Sequence, residues 1–308
     1  MVSAESSVPG NILSSEDRTR LLELLAENVR FDVPLAPRTS MRVGGPAAAF
    51  ATMLDVPTLV RTLAYCHANG LAWTILGLGS NVLVRDEGFA GIVLRLAGAF
   101  TAVSVNGTRV RAGGAAPIVA VCREAARAGL TGAEALVGIP GTIGGAVRMN
   151  AGTNVEIGAL VRRIEIVQAG EELQTFTVPE FAYRRSSLDR RAVVCAAELE
   201  LQPAAQADVQ QELRRRIDQR NASQPLELPN SGSIFRNPPG DYAARLIESA
   251  GCKGWQCGKA EVSRKHANFI VNNGGATCKD VLALIERVRA QVKNVHGIEL
   301  ELEVQLLG

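Results

Sequence analysis

The 308-residue chain has almost no charge of one sign to spare, with Lys+Arg 33 against Asp+Glu 31 and a formal net charge of +2. Such a balance lacks the broad field of a nucleic-acid or membrane-surface protein, so neither partner is expected, and an anionic ligand must be met by charges gathered locally. Hydrophobic runs are short as well. Nowhere does an unbroken apolar stretch approach the eighteen residues of a membrane span, and MVSAESSVPGNILSSEDRTR has no basic segment leading into an apolar one. A soluble, cytoplasmic protein is expected.

Metal ligands are few and badly spaced. His67, His266 and His296 are the only histidines, and the six cysteines lie scattered among apolar neighbours. Cys252 and Cys257, the closest pair, match no zinc spacing, so no metal site is expected and the thiols read as reduced. The common nucleotide fingerprints are also absent. LGLGSN at 76–81 would need glycine where Val82 stands to complete GxGxxG, and GK[ST] occurs nowhere. There is no internal repeat or low-complexity tract.

What is present is glycine, concentrated. Residues 138–152 read GIPGTIGGAVRMNAG, with five glycines in fifteen positions. Glycine loses more backbone entropy on folding than any other residue, so Gly138, Gly141, Gly144 and Gly145 need a reason. One reading is a pair of tight turns. The other is backbone pressed against a bulky ligand, its N–H groups free to meet phosphate oxygens. LGLGSN adds a second small-residue turn at the end of an apolar strand, contributing Gly77, Gly79, Ser80 and Asn81.

Around these turns the pattern is mixed α and β. Ser14-Ser15-Glu16-Asp17 reads as a capping box opening an amphipathic helix over 14–30, with Leu21, Leu22, Leu25 and Val29 at helical spacing. AFATML, LAWTIL, GIVLRL, TAVSV and RVRAG read as strands, with helices over VPTLVRTLAYCHANG and APIVAVCREAARAGL and a hairpin turn at Asn106-Gly107. LVRRIEIVQ, LQTFTV and AVVCAAELEL are strand-like, with a turn at Ala169-Gly170. Composition turns polar after residue 203, suggesting a helix and a linker into a further domain. Two more helices follow, DYAARLIESAG and TCKDVLALIERVRAQV. ELELEVQL then alternates strictly, with Leu300, Leu302, Val304 and Leu306 on one face and Glu299, Glu301, Glu303 and Gln305 on the other.

Six stretches in order carry a family resemblance: TSMRVGG at 39–45, LGLGSNVLVRDEGFAG at 76–91, GIPGTIGGAVRMNAG, YRRS at 183–186, GSIFRNP at 232–238 and the terminal LEVQLLG. From about residue 31 to the end the chain closely resembles the UDP-N-acetylenolpyruvoylglucosamine reductases, in their shorter, type II form. The resemblance implies an α+β protein: a two-subdomain FAD-binding fold of the vanillyl-alcohol-oxidase (PCMH) type plus a C-terminal α+β substrate-binding domain. The implied boundaries are an N-terminal extension 1–30, an FAD-binding domain 31–203 (subdomains about 31–96 and 97–203) and a substrate domain 204–308.

The resemblance also implies non-covalent FAD, NADPH as co-substrate, and reduction of an enolpyruvyl ether of a UDP-amino sugar by a flavin N5 hydride, in a monomer. FAD would rest on Arg42, on Gly77, Gly79, Ser80 and Asn81, and on Gly138, Ile139, Pro140, Gly141, Gly144, Gly145 and Ala146. Ser233 matches the proton donor, Arg184 the arginine on the substrate carboxylate, and Glu303 the acid that polarises it. Read alone, Ser233 is an ordinary turn serine. Arg236, Asn237, His266 and Tyr183 would meet the substrate, although His266 also reads as a structural histidine and Tyr183 as core packing. Gln305 stands where the family usually has arginine. The rival readings are a flavin oxidase of the same fold acting on a small alcohol or sugar, and a nonenzymatic nucleotide binder. LGLGSNVLVRDEG holds neither the histidine nor the cysteine through which such oxidases often attach FAD.

Overall fold

The computed structural model describes residues 13–168 and 171–308, and the Ala169-Gly170 turn lies outside them. The described chain forms three bodies. The first opens with α1 (Ser15–Leu25), where Ser14 Oγ accepts from Asp17 N at 3.1 Å and Ser14 N donates to Asp17 Oδ2 at 2.9 Å. The helix is shorter than its apolar spacing predicts. Ala26 turns out at φ +48°, and Val29, expected on the helix, begins β1 (Val29–Pro34). There follow β2 (Pro46–Met53), α2 (Val56–Ala68), β3 (Trp73–Ile75), β4 (Val82–Val84) and β5 (Phe89–Leu96). The sheet order is β1-β2-β5-β3, with β2, β5 and β3 parallel and β1 antiparallel at the edge. The segment joining β3 to β4 is the LGLGSN turn.

The second body begins with the hairpin β6 (Val103–Asn106) and β7 (Arg109–Gly113). Asn106 pairs with Arg109, so the turn is Gly107-Thr108, one residue later than the dipeptide signal suggests. α3 (Ile118–Arg127) buries Ile118, Val121, Cys122 and Ala125, as its spacing predicts. Then come β8 (Leu130–Thr131), α4 (Ile143–Met149), β9 (Val161–Val167), β10 (Gln174–Thr177), β11 (Phe181–Ala182), β12 (Arg185–Ser186), β13 (Val193–Glu200), β14 (Gln202–Pro203) and α5 (Gln206–Ser223). An antiparallel sheet runs β10-β9-β13-β7-β6. α5 buries Val209 and Leu213 in the same core as Val121 and Leu199. The polar shift after residue 203 therefore opens a helix of the second body, and the change of core comes only after that helix.

The third body holds β15 (Asn230–Ser233), α6 (Ala243–Ser249), β16 (Gln256–Cys257), β17 (Ala260–Val262), β18 (Phe269–Asn272), α7 (Cys278–His296) and β19 (Gln305–Leu307). Its sheet runs β15-β18-β17-β16 beneath α7, which buries Val281, Leu284, Ile285 and Val288. The terminal ELELEVQL keeps its alternation of burial but is not one strand. Leu302 makes an isolated bridge to Phe235, whereas β19 crosses over to pair in parallel with β4 of the first body. Asp86, also from the first body, accepts the N–H groups of Cys278 and Lys279 at 2.8 and 2.9 Å, satisfying two of the free donors that open α7. The first and third bodies are thus joined at the start of α7 and through the terminal segment that follows it. Glu303 is left at their seam.

Candidate active site

A cavity of about 840 Å³ lies where the three bodies meet, lined by both glycine turns, by Asn230 to Ser233, and by Arg184, Arg236 and Glu303. Among the described residues, seven arginines line it against one acid, Glu303, with no lysine or histidine. In a chain of net charge +2, this is the local gathering of positive charge that an anionic ligand requires.

The two turns are bonded to each other. Ser80 Oγ donates to Pro140 O at 2.5 Å, and Asn81 fastens the terminal segment, its Nδ2 donating to Glu303 O at 3.1 Å while its O accepts from Gln305 N at 3.0 Å. The glycines then divide by cause. Gly79 has φ +63°, and a side chain there would meet Arg38 O at 2.5 Å, so turn geometry alone demands it. Gly144 lets α4 lie against the sheet, since an added Cβ would stand 3.0 Å from Gly114 O and 3.2 Å from Val194 O. Gly138, Gly141 and Gly145 have no such excuse. An added Cβ at each would meet protein atoms only at 3.7–3.8 Å, ordinary contact, and all three face the cavity. The backbone is bare where a ligand, not the protein, fills the space. A flat, phosphate-bearing group fits this cradle.

Opposite the cradle stands Arg184, at the tip of the two-residue turn Tyr183-Arg184 between β11 and β12, with φ +56°. Its Nε lies 2.9 Å from Glu303 Oε1, and Nη1 lies 3.8 Å from Glu156 Oε1. The Glu156 contact lies beyond hydrogen-bond reach and the Glu303 contact is an ion pair without a hydrogen bond, so both nitrogens are buried with no hydrogen-bond partner. An unsatisfied buried guanidinium edge is costly in a resting protein and suited to an incoming carboxylate. Burial raises the Glu303 carboxyl above its ordinary pKa, against the opposing pull of Arg184 and Arg236. Ser233 lies half-buried on the same wall. Asn230 shapes that stretch, donating from Nδ2 to Pro225 O and Leu228 O and accepting from Gly232 N at 3.0 Å, and Gly232 takes φ +74° at the bulge.

Residues 47–177 match the FAD binding domain family, and residues 224–307 match the family described as UDP-N-acetylenolpyruvoylglucosamine reductase, C-terminal domain. UDP-N-acetylenolpyruvoylglucosamine reductase 2 of Symbiobacterium thermophilum is 43% identical over 284 residues, which cover 91% of this chain and 92% of that protein. The chain belongs to the UDP-N-acetylenolpyruvoylglucosamine reductase family. The reductase of Anaeromyxobacter dehalogenans is 45% identical over 279 residues, 90% of this chain and 85% of its own. The crystal structure of the Thermus caldophilus reductase matches with a TM-score of 0.80 at 36% identity, covering 91% of this chain and 100% of that one. The α+β fold of an FAD-binding domain joined to a reductase C-terminal domain is therefore the fold of this chain, and FAD is its cofactor.

Not every residue expected from the reductase family reaches the cavity. Gly77, Gly79, Ser80, Asn81, Gly138, Ile139, Pro140, Gly141, Gly144, Gly145 and Ala146 line it, as do Arg184, Ser233, Arg236 and Glu303. Arg42 is exposed and stands outside the lining, at φ +58°. Tyr183 is 45% exposed rather than core, its Oη accepting from Asn237 N at 3.3 Å. Asn237 also accepts from Ala243 N at 3.0 Å, at the start of α6. His266 sits behind the wall, edge-on to the lining residue Phe269 at 4.7 Å between ring centroids, with Nδ1 buried and unpartnered and its pKa lowered by burial. Five lining arginines, Arg95, Arg148, Arg185, Arg190 and Arg220, were not among the expected site residues. Arg148 donates to Asp189 O and Ala192 O, and Arg220 lies on α5, within the polar run that reads as linker.

Proposed function

We propose that the chain reduces the enolpyruvyl ether of UDP-N-acetylglucosamine to the lactyl ether of UDP-N-acetylmuramate for peptidoglycan synthesis, with NADPH as electron donor, as a cytoplasmic monomer. One observation carries the reading: a cavity lined by a bare glycine cradle also holds a buried guanidinium whose Nε and Nη1 make no hydrogen bond, beside a carboxyl whose pKa burial raises. That cavity is completed within a single chain, and no helix among the described residues is long and apolar enough to cross a membrane.

FAD, held on the two glycine turns, would supply the redox chemistry: hydride transfer from NADPH to the methylene carbon of the enolpyruvyl group. Addition there opens the carbon–carbon double bond and drives its electron pair toward the substrate carboxylate. Arg184 meets that growing charge with the planar, two-point donor that a carboxylate matches, and Glu303, whose pKa burial raises, stands beside the same group to help polarise it. Ser233 gives its hydroxyl proton to the carbon bearing the carboxylate, which completes the second new C–H bond, and recovers a proton from solvent. Arg236 and the other lining arginines balance the nucleotide diphosphate.

Ser233→Ala separates these roles. It should retain bound FAD and its reduction by NADPH, while reoxidation by the enolpyruvyl substrate slows by about three orders of magnitude, the middle of the range for a positioned proton donor. Equal slowing of both half-reactions in rapid mixing would remove Ser233 from the proton-transfer role.

A further inference from the structure

We propose that Asn150 and Glu156, neither of which lines the cavity, hold Arg184 in its working orientation and tie it to the flavin cradle. The proposal rests on the reading of Arg184 as the substrate-carboxylate ligand. The β11–β12 hairpin has two residue pairs and a two-residue turn, too little to stand alone, and Arg184 holds a left-handed backbone that is costly for a residue with a Cβ. Something outside the hairpin must fix it. Asn150 Nδ2 donates to Ala182 O at 3.0 Å, next to the turn, and to Glu156 Oε2 at 2.6 Å, while Oδ1 accepts from Gly158 N at 3.0 Å. Both amide hydrogens and the oxygen are used, in a residue only 2% exposed, so water cannot replace a lost partner.

Asn150 also ends α4 in the left-handed region, at φ 44° and ψ 52°, and α4 is the helix that begins with the cradle residues Thr142 to Gly145. The other strand of the hairpin is fastened to the same helix, Ser186 Oγ donating to Arg148 O at 2.9 Å. Glu156 closes the arrangement. One of its oxygens holds Asn150 and the other faces Arg184 Nη1 at 3.8 Å, while Glu303 faces Nε. The guanidinium is thus held between two carboxylates, one on the cavity wall and one behind it. Both residues are positioning residues, acting through Arg184.

The test uses the FAD-loaded protein and Asn150→Asp, which keeps size and tolerance of a left-handed backbone but turns a carboxylate oxygen toward Glu156 and Ala182 O. Two readouts are taken: the rate of tryptic cleavage after Arg184 and Arg185, which needs no substrate, and the two flavin half-reactions. The proposal expects FAD content and NADPH reduction within about twofold of the parent, but at least about tenfold faster cleavage and tenfold slower reoxidation by substrate. Adding Glu156→Gln, whose amide can donate to the new carboxylate, should recover part of both losses. Unchanged cleavage and reoxidation, or no recovery in the double variant, would overturn it. So would loss of FAD with an equal fall in both half-reactions, which assigns Asn150 to the fold alone. If the parent itself is not reoxidised by the substrate, the proposed function fails while the cleavage rates still decide the positioning claim.

Discussion

At the scale of single residues, Glu303 shows how a site works against the fold that builds it. Its carboxyl pKa lies above the ordinary value because burial outweighs the attraction of Arg184 and Arg236. A raised acid is protonated in both states at low pH and carries no cost there. As pH climbs from the ordinary glutamate range, about 4.3, through the raised value, the folded protein loses stability that the unfolded chain does not. Glu303→Gln should therefore melt higher than the parent at neutral pH, by a margin that shrinks to nothing below the ordinary range, while reoxidation by substrate slows. Melting curves from pH 4 to 8 test this, and a variant less stable than its parent throughout that range would refute it. Ser233, Arg184 and Glu303 were singled out by the family resemblance and not by their local sequence, in which Ser233 reads as a turn serine, and the fold brings all three to one cavity. The burial that gives Glu303 its character was not legible in the sequence, since it comes from Arg184, Arg236 and the seam between two bodies, far away along the chain.

At the scale of elements, the glycine-rich stretch joins two causes that look identical in sequence. Gly144 is excluded from carrying a side chain by Gly114 O and Val194 O, whereas Gly145, the next residue of the same helix, has protein no nearer than 3.7 Å. Gly144→Ala should destabilise the folded protein with or without cofactor. Gly145→Ala should instead stabilise the FAD-free protein by up to about 1 kcal/mol, from helix preference alone, while lowering its affinity for FAD. Thermal melts with and without FAD separate the two, and equal effects from both substitutions would contradict the division. Periodicity and capping signals gave α3, α7 and the start of α1, because those are local. They misjudged the end of α1, where Ala26 turns the chain, and could not show that ELELEVQL splits between Phe235 and β4. Alternation reports which side chains are buried and is silent on which backbone they pair with.

At the scale of the whole molecule, the first and third bodies are locked by the β4–β19 pairing and the Asp86 cap on α7, and the first and second share a core that includes Trp73, Val193 and Cys195. The second and third meet at the site itself, through the Arg184–Glu303 pair and the Tyr183–Asn237 hydrogen bond. The polar helix α5 reads in sequence as the opening of a new domain because it buries little apolar surface, yet Val209 and Leu213 seat it on the second core and carry Arg220 to the cavity. Burial also pushes the thiols of Cys66, Cys122, Cys195 and Cys278 up to about 12, far from thiolate character. The most direct test of the account follows flavin absorbance when NADPH-reduced protein is mixed, without oxygen, with UDP-N-acetylglucosamine enolpyruvate. The account predicts rapid return of the oxidised flavin band with UDP-N-acetylmuramate as product. A band that stays bleached with this substrate, and returns quickly on admitting oxygen alone, would contradict it.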